Sequence, residues 1–160
     1  MDTSSKRTDT VTKTIAASPQ AIYTTYLDAQ AMVTWRPPEG MTCKIYSFDP
    51  RPGGEFRMSL NYTDTTHAVA GKTSEHADFF HGRFVELIPN ERIVEQVQFE
   101  SSDPAFAEPM TIITALVPEA SGRTRVTVTC MNVPGVIRAE DHEVGIQSTL
   151  DNLAAFIARR

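Results

Sequence analysis

Residues 139–158 place Ile146, Leu150, Leu153 and Ile157 at steps of four, three and four, which puts all four on one face of a helix. The pattern offers no other long amphipathic helix, and six consecutive strand-like segments precede this one. Short strands joined by hairpin-sized connections form an antiparallel sheet. A sheet of about seven strands has one broad apolar face to bury, and a single helix is narrower than that face. The sheet must therefore curl around the helix, and the space left between them is the natural place for a pocket. The expected fold class is α+β: a curved antiparallel sheet around a long C-terminal helix, with two short helices after the first strand.

The segments follow from local chemistry. Thr10 to Ala17 is rich in Thr, Val and Ile and reads as a strand. Ser18-Pro19 then supplies a helix cap and a proline at the first helical position. Ile22, Tyr23, Tyr26 and Leu27 follow on one side of that helix, and a second helix is expected over Ala29 to Thr34, near Trp35. Pro37-Pro38 forbids its continuation. Met41 to Asp49 is a strand closed by the turn Asp49-Pro50-Arg51-Pro52-Gly53-Gly54. Glu55 to Tyr62 alternates, with Phe56, Met58, Leu60 and Tyr62 on one face. A long polar loop, Thr63 to Glu75, leads into a strand from His76 to Ile88 with Gly82 inside it, the mark of a bulge, a bend or a close approach. Strands Arg92 to Phe99, Met110 to Val117 and Thr124 to Val133 complete the set. Gly145 inside the last helix costs about 1 kcal/mol against Ala, from which a close contact is expected there.

A length of 160 residues fits one domain, read as residues 10–160 behind a flexible tail, 1–9. The net charge of −5 excludes a nucleic-acid groove, which needs clustered Lys and Arg. Cys43 and Cys130 make no disulfide framework and read as buried thiols. No apolar run reaches the ~18 residues of a membrane span, and the polar N-terminus lacks the apolar centre of a signal peptide. A cytoplasmic setting is expected, in which the Asn61-Tyr62-Thr63 sequon carries no meaning.

Three stretches carry a resemblance: Arg51-Pro52-Gly53-Gly54-Glu55-Phe56, the run from Gly82 to Val94, and Ile146-Gln147-Ser148-Thr149-Leu150-Asp151-Asn152-Leu153. With the order of elements, they resemble the START-like helix-grip superfamily (SRPBCC). Within it the chain is most similar to the family related to the C-terminal domain of the activator of heat-shock-protein-ninety ATPase. The resemblance covers Val11 to Ala158. It implies a sheet gripping the last helix around a cavity, often for apolar ligands. It implies no single activity, since superfamily members bind lipids and hormones, act as cyclases or regulate partners. The eukaryotic activator uses a further N-terminal domain to engage its chaperone, for which this length leaves no room. An aromatic residue common near the start of the last helix is Ile146 here, after Gly145.

Catalytic signatures are missing: no Gly-rich phosphate loop, nucleophile elbow or paired-Cys metal pattern occurs. His142-Glu143 opens like a zinc-protease motif but lacks the second histidine. His76 and Asp78 share one strand face and His81 takes the other, weak grounds for a metal, so neither metal nor cofactor is assigned. Glu95 is the sharper candidate, because it lies among Ile93, Val97 and Phe99 on an apolar face. Inward, it would be a buried carboxylate able to orient a polar ligand group or act as an acid or base. The plainer reading turns Glu95 outward and leaves Gln96 as the polar pocket residue.

The expected cavity wall is Trp35, Phe56, Met58, Leu60, Glu95, Val97, Met110, Ile112, Ile146 and Leu150, residues that by default are simply core. Trp35 either closes one end of the pocket or anchors the short helices. Three functions compete. The first is a non-enzymatic binder of a small apolar or amphipathic molecule. The second is a cyclase- or hydrolase-like enzyme using Glu95 with His81 or His142, which requires those groups to converge. The third is a chaperone or stress-regulatory interaction module, which requires an exposed apolar patch, for instance near the loop Thr63 to Glu75. A homodimer is compatible with all three.

Overall fold

The computed structural model describes residues 7–63 and 77–159. In chain order these form β1 (Arg7–Ile15), α1 (Pro19–Tyr26), α2 (Ala29–Trp35), β2 (Met41–Phe48), β3 (Glu55–Tyr62), β4 (Ala77–Ile88), β5 (Arg92–Phe99), β6 (Met110–Glu119), β7 (Arg123–Val133) and α3 (Ala139–Ala158). Single 3₁₀ turns lie at Pro104–Phe106 and Ala120–Gly122. One seven-stranded sheet runs in the order β1-β7-β6-β5-β4-β3-β2, antiparallel at every pairing. The expected α+β helix-grip architecture is what the chain adopts. His76 and residues 64–75 of the polar loop, where an interaction patch was expected, lie outside the described residues.

Local chemistry explains where elements begin and end. Ser18 Oγ accepts the N–H of Ala21, with Pro19 at the first helical position. The Asp28 carboxylate accepts the N–H groups of Gln30 and Ala31 and starts α2. That helix ends at Trp35, near which its end was expected. β1 begins at Arg7 and stops at Ile15, rather than spanning Thr10 to Ala17. Its early start has a cause: Asp9 bonds both Arg7 and His142, which fastens the first residues of the strand to α3.

The turn after β2 needs both of its glycines. Gly53 has φ +82°, and any Cβ on Gly54 would strike the Asp49 carbonyl. Free of side chains, the turn docks on β4: Gly53 N–H donates to Phe84 O at 2.7 Å and Phe84 N–H to Gly54 O at 2.8 Å. Gly82 marks a close approach. A Cβ there would meet the Gln96 carbonyl and, at 2.7 Å, the Phe56 ring that lies over it.

The sheet curls with the help of register shifts in β1, β2 and β4. Its concave face carries Phe56, Met58, Phe80, Phe84, Ile93, Leu116 and Val126, all buried. At one end the aromatic rings interlock, Phe84 lying 5.1 Å from Phe56 and 5.7 Å, edge-on, from Phe48. α3 packs on β1 and α2, and open space separates it from much of the concave face of β3–β7. The segment after α2 is tied to α3 by side chains. Thr149 Oγ1 donates to Arg36 O at 3.0 Å, Asn152 Nδ2 to Pro37 O at 2.9 Å, and Glu39 N–H to Ser148 Oγ at 2.9 Å. These polar positions of α3 satisfy backbone groups that Pro37-Pro38 deprives of a helical partner.

Candidate functional site

Between the concave face and α3 lies a cavity of about 650 Å³, inside the ~300–1,000 Å³ range of small-molecule sites. From β2–β5 it is lined by Met41, Leu60, Tyr62, Asp78, Phe80, Val97 and Phe99, and from β6 and β7 by Met110, Ile112, Val128 and Cys130. The helical side contributes Tyr26 and Trp35 from the first two helices, Arg36 at the end of α2, and His142, Gly145, Ile146, Thr149 and Leu150 from α3. Val136, Ile137 and Arg138 contribute ahead of α3, together with Pro38, Phe106 and, on α3, Asp141. The wall is mainly apolar.

Of the residues expected in the wall, Trp35, Leu60, Val97, Met110, Ile112, Ile146 and Leu150 lie there. Phe56 and Met58 do not. They share the concave face but are wholly buried in packed core, Phe56 against Gly82 and Phe84. Trp35 has neighbours of two kinds. It lines the cavity, and it anchors the helices through an Nε1–H bond to Thr25 O at 3.4 Å and a ring contact with Tyr26 at 4.7 Å. Gly145 departs from expectation: a Cβ there meets nothing within 4 Å, because the cavity lies beside it.

Glu95 points inward, on the concave face, and only 1% of it is exposed. It nevertheless does not reach the cavity wall, because two wall residues cover it. Arg36 Nη1 donates to Glu95 Oε2 at 3.4 Å, and the Tyr26 hydroxyl donates to Glu95 Oε1 at 3.5 Å. Tyr26 Oη also shares a hydrogen bond with Thr114 Oγ1 at 3.2 Å. Burial, and then the charge of Glu95, push the Tyr26 phenol above its ordinary pKa. Burial opposes the charge on Arg36, but the charge and hydrogen bond of Glu95, added to smaller contributions from Tyr26 and Cys43, more than offset it and the guanidinium stays protonated. Gln96 faces outward, accepting from Arg83 at 3.2 Å.

The other two polar candidates belong to different clusters. His142 lines the cavity near the start of α3, with its Nδ1 2.7 Å from Asp9 Oδ2. Burial would raise the Asp9 carboxyl, but its bonds to Arg7 and His142 hold it below the ordinary carboxylate range. His81 is on the outer face of β4, 3.3 Å from Glu100 Oε2, which also takes a two-pronged contact from Arg57. Glu95, His142 and His81 thus have three separate sets of partners and do not converge. For a metal, Asp78 faces inward and His81 outward, and among the described residues no group of three His, Cys, Asp or Glu could hold an ion. Both cysteines are free; burial pushes the Cys130 thiol up to about 12 and raises that of Cys43.

Reading the sequence alone passed over Tyr26, Arg36 and Thr114. Thr114 could have been found, since it shares the alternation of Met110 and Ile112. Arg36 carried no signal, because its direction is set by how α2 ends against α3.

The comparisons agree with this geometry. Residues 16–158 match the family described as Activator of Hsp90 ATPase homolog 1-like protein. No curated protein matches. Among solved structures, a protein of Chromobacterium violaceum is 29% identical with a TM-score of 0.82, the match covering 94% of this chain and 96% of that one. The AHSA1 protein of Silicibacter pomeroyi is 16% identical with a TM-score of 0.75, over 96% of this chain and 99% of that one, and shows the shared fold. With the family pattern spanning nearly all of it, this chain belongs to the Activator of Hsp90 ATPase homolog 1-like family.

Proposed function

We propose that this protein binds one small apolar or amphipathic molecule in the cavity between its sheet and α3, without transforming it. The carrying observation is the cavity itself: about 650 Å³ of space with a mainly apolar wall and the buried Arg36–Glu95 ion pair at its edge. Burying apolar surface contributes ~25 cal/mol per Å², so such a wall favours a ligand that is largely hydrocarbon. The separation of Glu95, His142 and His81 removes the motive for acid–base catalysis. Two free thiols favour action in a reducing compartment such as the cytoplasm. No helix among the described residues is long and apolar enough to cross a membrane.

The test is binding of the uncharged fluorophore N-phenyl-1-naphthylamine, followed by native mass spectrometry. The expected result is one dye per chain, displaced by a small apolar compound. A chain that takes up neither dye nor any small molecule rules the reading out.

A further inference from the structure

We propose that Arg36 anchors the polar end of the cavity's ligand, and that this ligand is an uncharged apolar molecule bearing a carbonyl-type acceptor oxygen. The inference rests on the binding reading above and specifies what that site selects.

Arg36 lines the cavity with only 11% of its side chain exposed. A guanidinium offers five N–H donors in a planar fork. One of its nitrogens, Nη1, meets Glu95, through a single long contact of 3.4 Å rather than a two-pronged one. Among the described residues Nε and Nη2 bond no protein group, yet no buried side-chain nitrogen or oxygen is left without a partner. Those nitrogens therefore open onto the cavity. The rings of Tyr26 and Trp35, with centroids 5.7 and 5.9 Å from the guanidinium carbon, hold the fork in place. A fixed donor at the edge of an apolar space is pre-organised for an acceptor and costs little further ordering.

Charge decides which acceptor. Glu95 already balances Arg36, and of the other charged lining residues two are carboxylates, Asp78 and Asp141, against one guanidinium, Arg138, which lies near Glu140. A carboxylate on the ligand would bring a third charge against the Arg36–Glu95 pair and would lose its own hydration. An ammonium has no lone pair to accept from the fork, and Tyr26 and Arg36 stand between the cavity and Glu95. A carbonyl oxygen accepts from the fork and adds no charge.

The experiment displaces N-phenyl-1-naphthylamine at pH 8 with three probes of equal chain length: undecane, 2-undecanone and undecanoate. It compares the native protein with Arg36→Met/Glu95→Gln, which removes the pair together, and with Arg36→Lys, which keeps the charge but not the fork. A hydrogen bond to a charged group predicts that 2-undecanone loses about ten-fold or more in affinity in the double variant, while undecane changes less than about three-fold. Arg36→Lys is expected to show at least a three-fold loss for the ketone, and dye affinity reports that each variant is folded. An equal loss for ketone and undecane overturns the anchor, as does no loss for either. Undecanoate binding the native protein more tightly than the ketone overturns the uncharged class. If no probe displaces the dye from the native protein, the cavity-binding reading itself fails.

Discussion

Breaking the Arg36–Glu95 pair by removing Arg36 alone should cost far more stability than removing both charges. Glu95 is 1% exposed and lies beneath Tyr26 and Arg36, so its carboxylate cannot turn to water without opening that packing over the sheet. Arg36→Met leaves a buried carboxylate with only the long 3.5 Å bond from Tyr26. Stranding a buried charge in this way costs about 3–5 kcal/mol. With a urea slope of about 2 kcal/mol per molar, the unfolding midpoint should fall by about 2 M. In Arg36→Met/Glu95→Gln no charge is stranded, and the amide still offers Tyr26 an acceptor. Its midpoint should lie within about 0.5 M of the native protein, since exchanging a whole buried pair is often neutral. Urea unfolding followed by Trp35 fluorescence reads both. An Arg36→Met midpoint within about 0.5 M of native, or a double variant as unstable as the single one, would refute the claim that the pair holds its two charges in common.

Further expectations concern single sites. Gly145→Ala should raise stability by about 1 kcal/mol, because its Cβ has open space; Gly82→Ala should lower it by about 3 kcal/mol or more, because its Cβ strikes the Gln96 carbonyl and Phe56. Urea midpoints distinguish the two. Neither cysteine should react with a thiol-titrating disulfide at pH 8 while the chain is folded, since burial raises both thiols, and both should react in guanidinium. Acid should weaken the fold through Glu100, whose carboxyl is held below the ordinary range by hydrogen bonds from Arg57 and His81. A carboxyl lowered on folding stabilises above its unfolded value and loses that contribution as the pH falls below it. Melting temperatures of Glu100→Gln should therefore fall less steeply than native ones below about pH 4.5.

The architecture was legible because its signals are periodic and local. The alternation of Phe56, Met58, Leu60 and Tyr62 and the stripe Ile146, Leu150, Leu153, Ile157 each name the face they bury, and Ser18-Pro19 names a helix start. The same alternation put Glu95 among Ile93, Val97 and Phe99 but left open whether it turns inward or outward; the structure turns it inward. What covers Glu95 was not legible, because Tyr26 and Arg36 come from helices whose placement depends on tertiary contacts such as Thr149 and Asn152 holding the Arg36–Pro37 backbone. For the same reason Phe56 and Met58 could not be told from Leu60. All three share a face, and only the position of the helices decides which of them meets open space. Gly145 was misread because a helical glycine marks either a close contact or an empty one, and the sequence does not distinguish them.

Plugging the cavity tests the account most directly. Gly145→Trp projects an indole from α3 into space where a Cβ meets nothing within 4 Å. Titration with N-phenyl-1-naphthylamine should give one site in the native protein and at least a ten-fold weaker one in the variant, with the melting temperature retained. Equal dye affinity in both proteins would place binding elsewhere and contradict the cavity as the functional site.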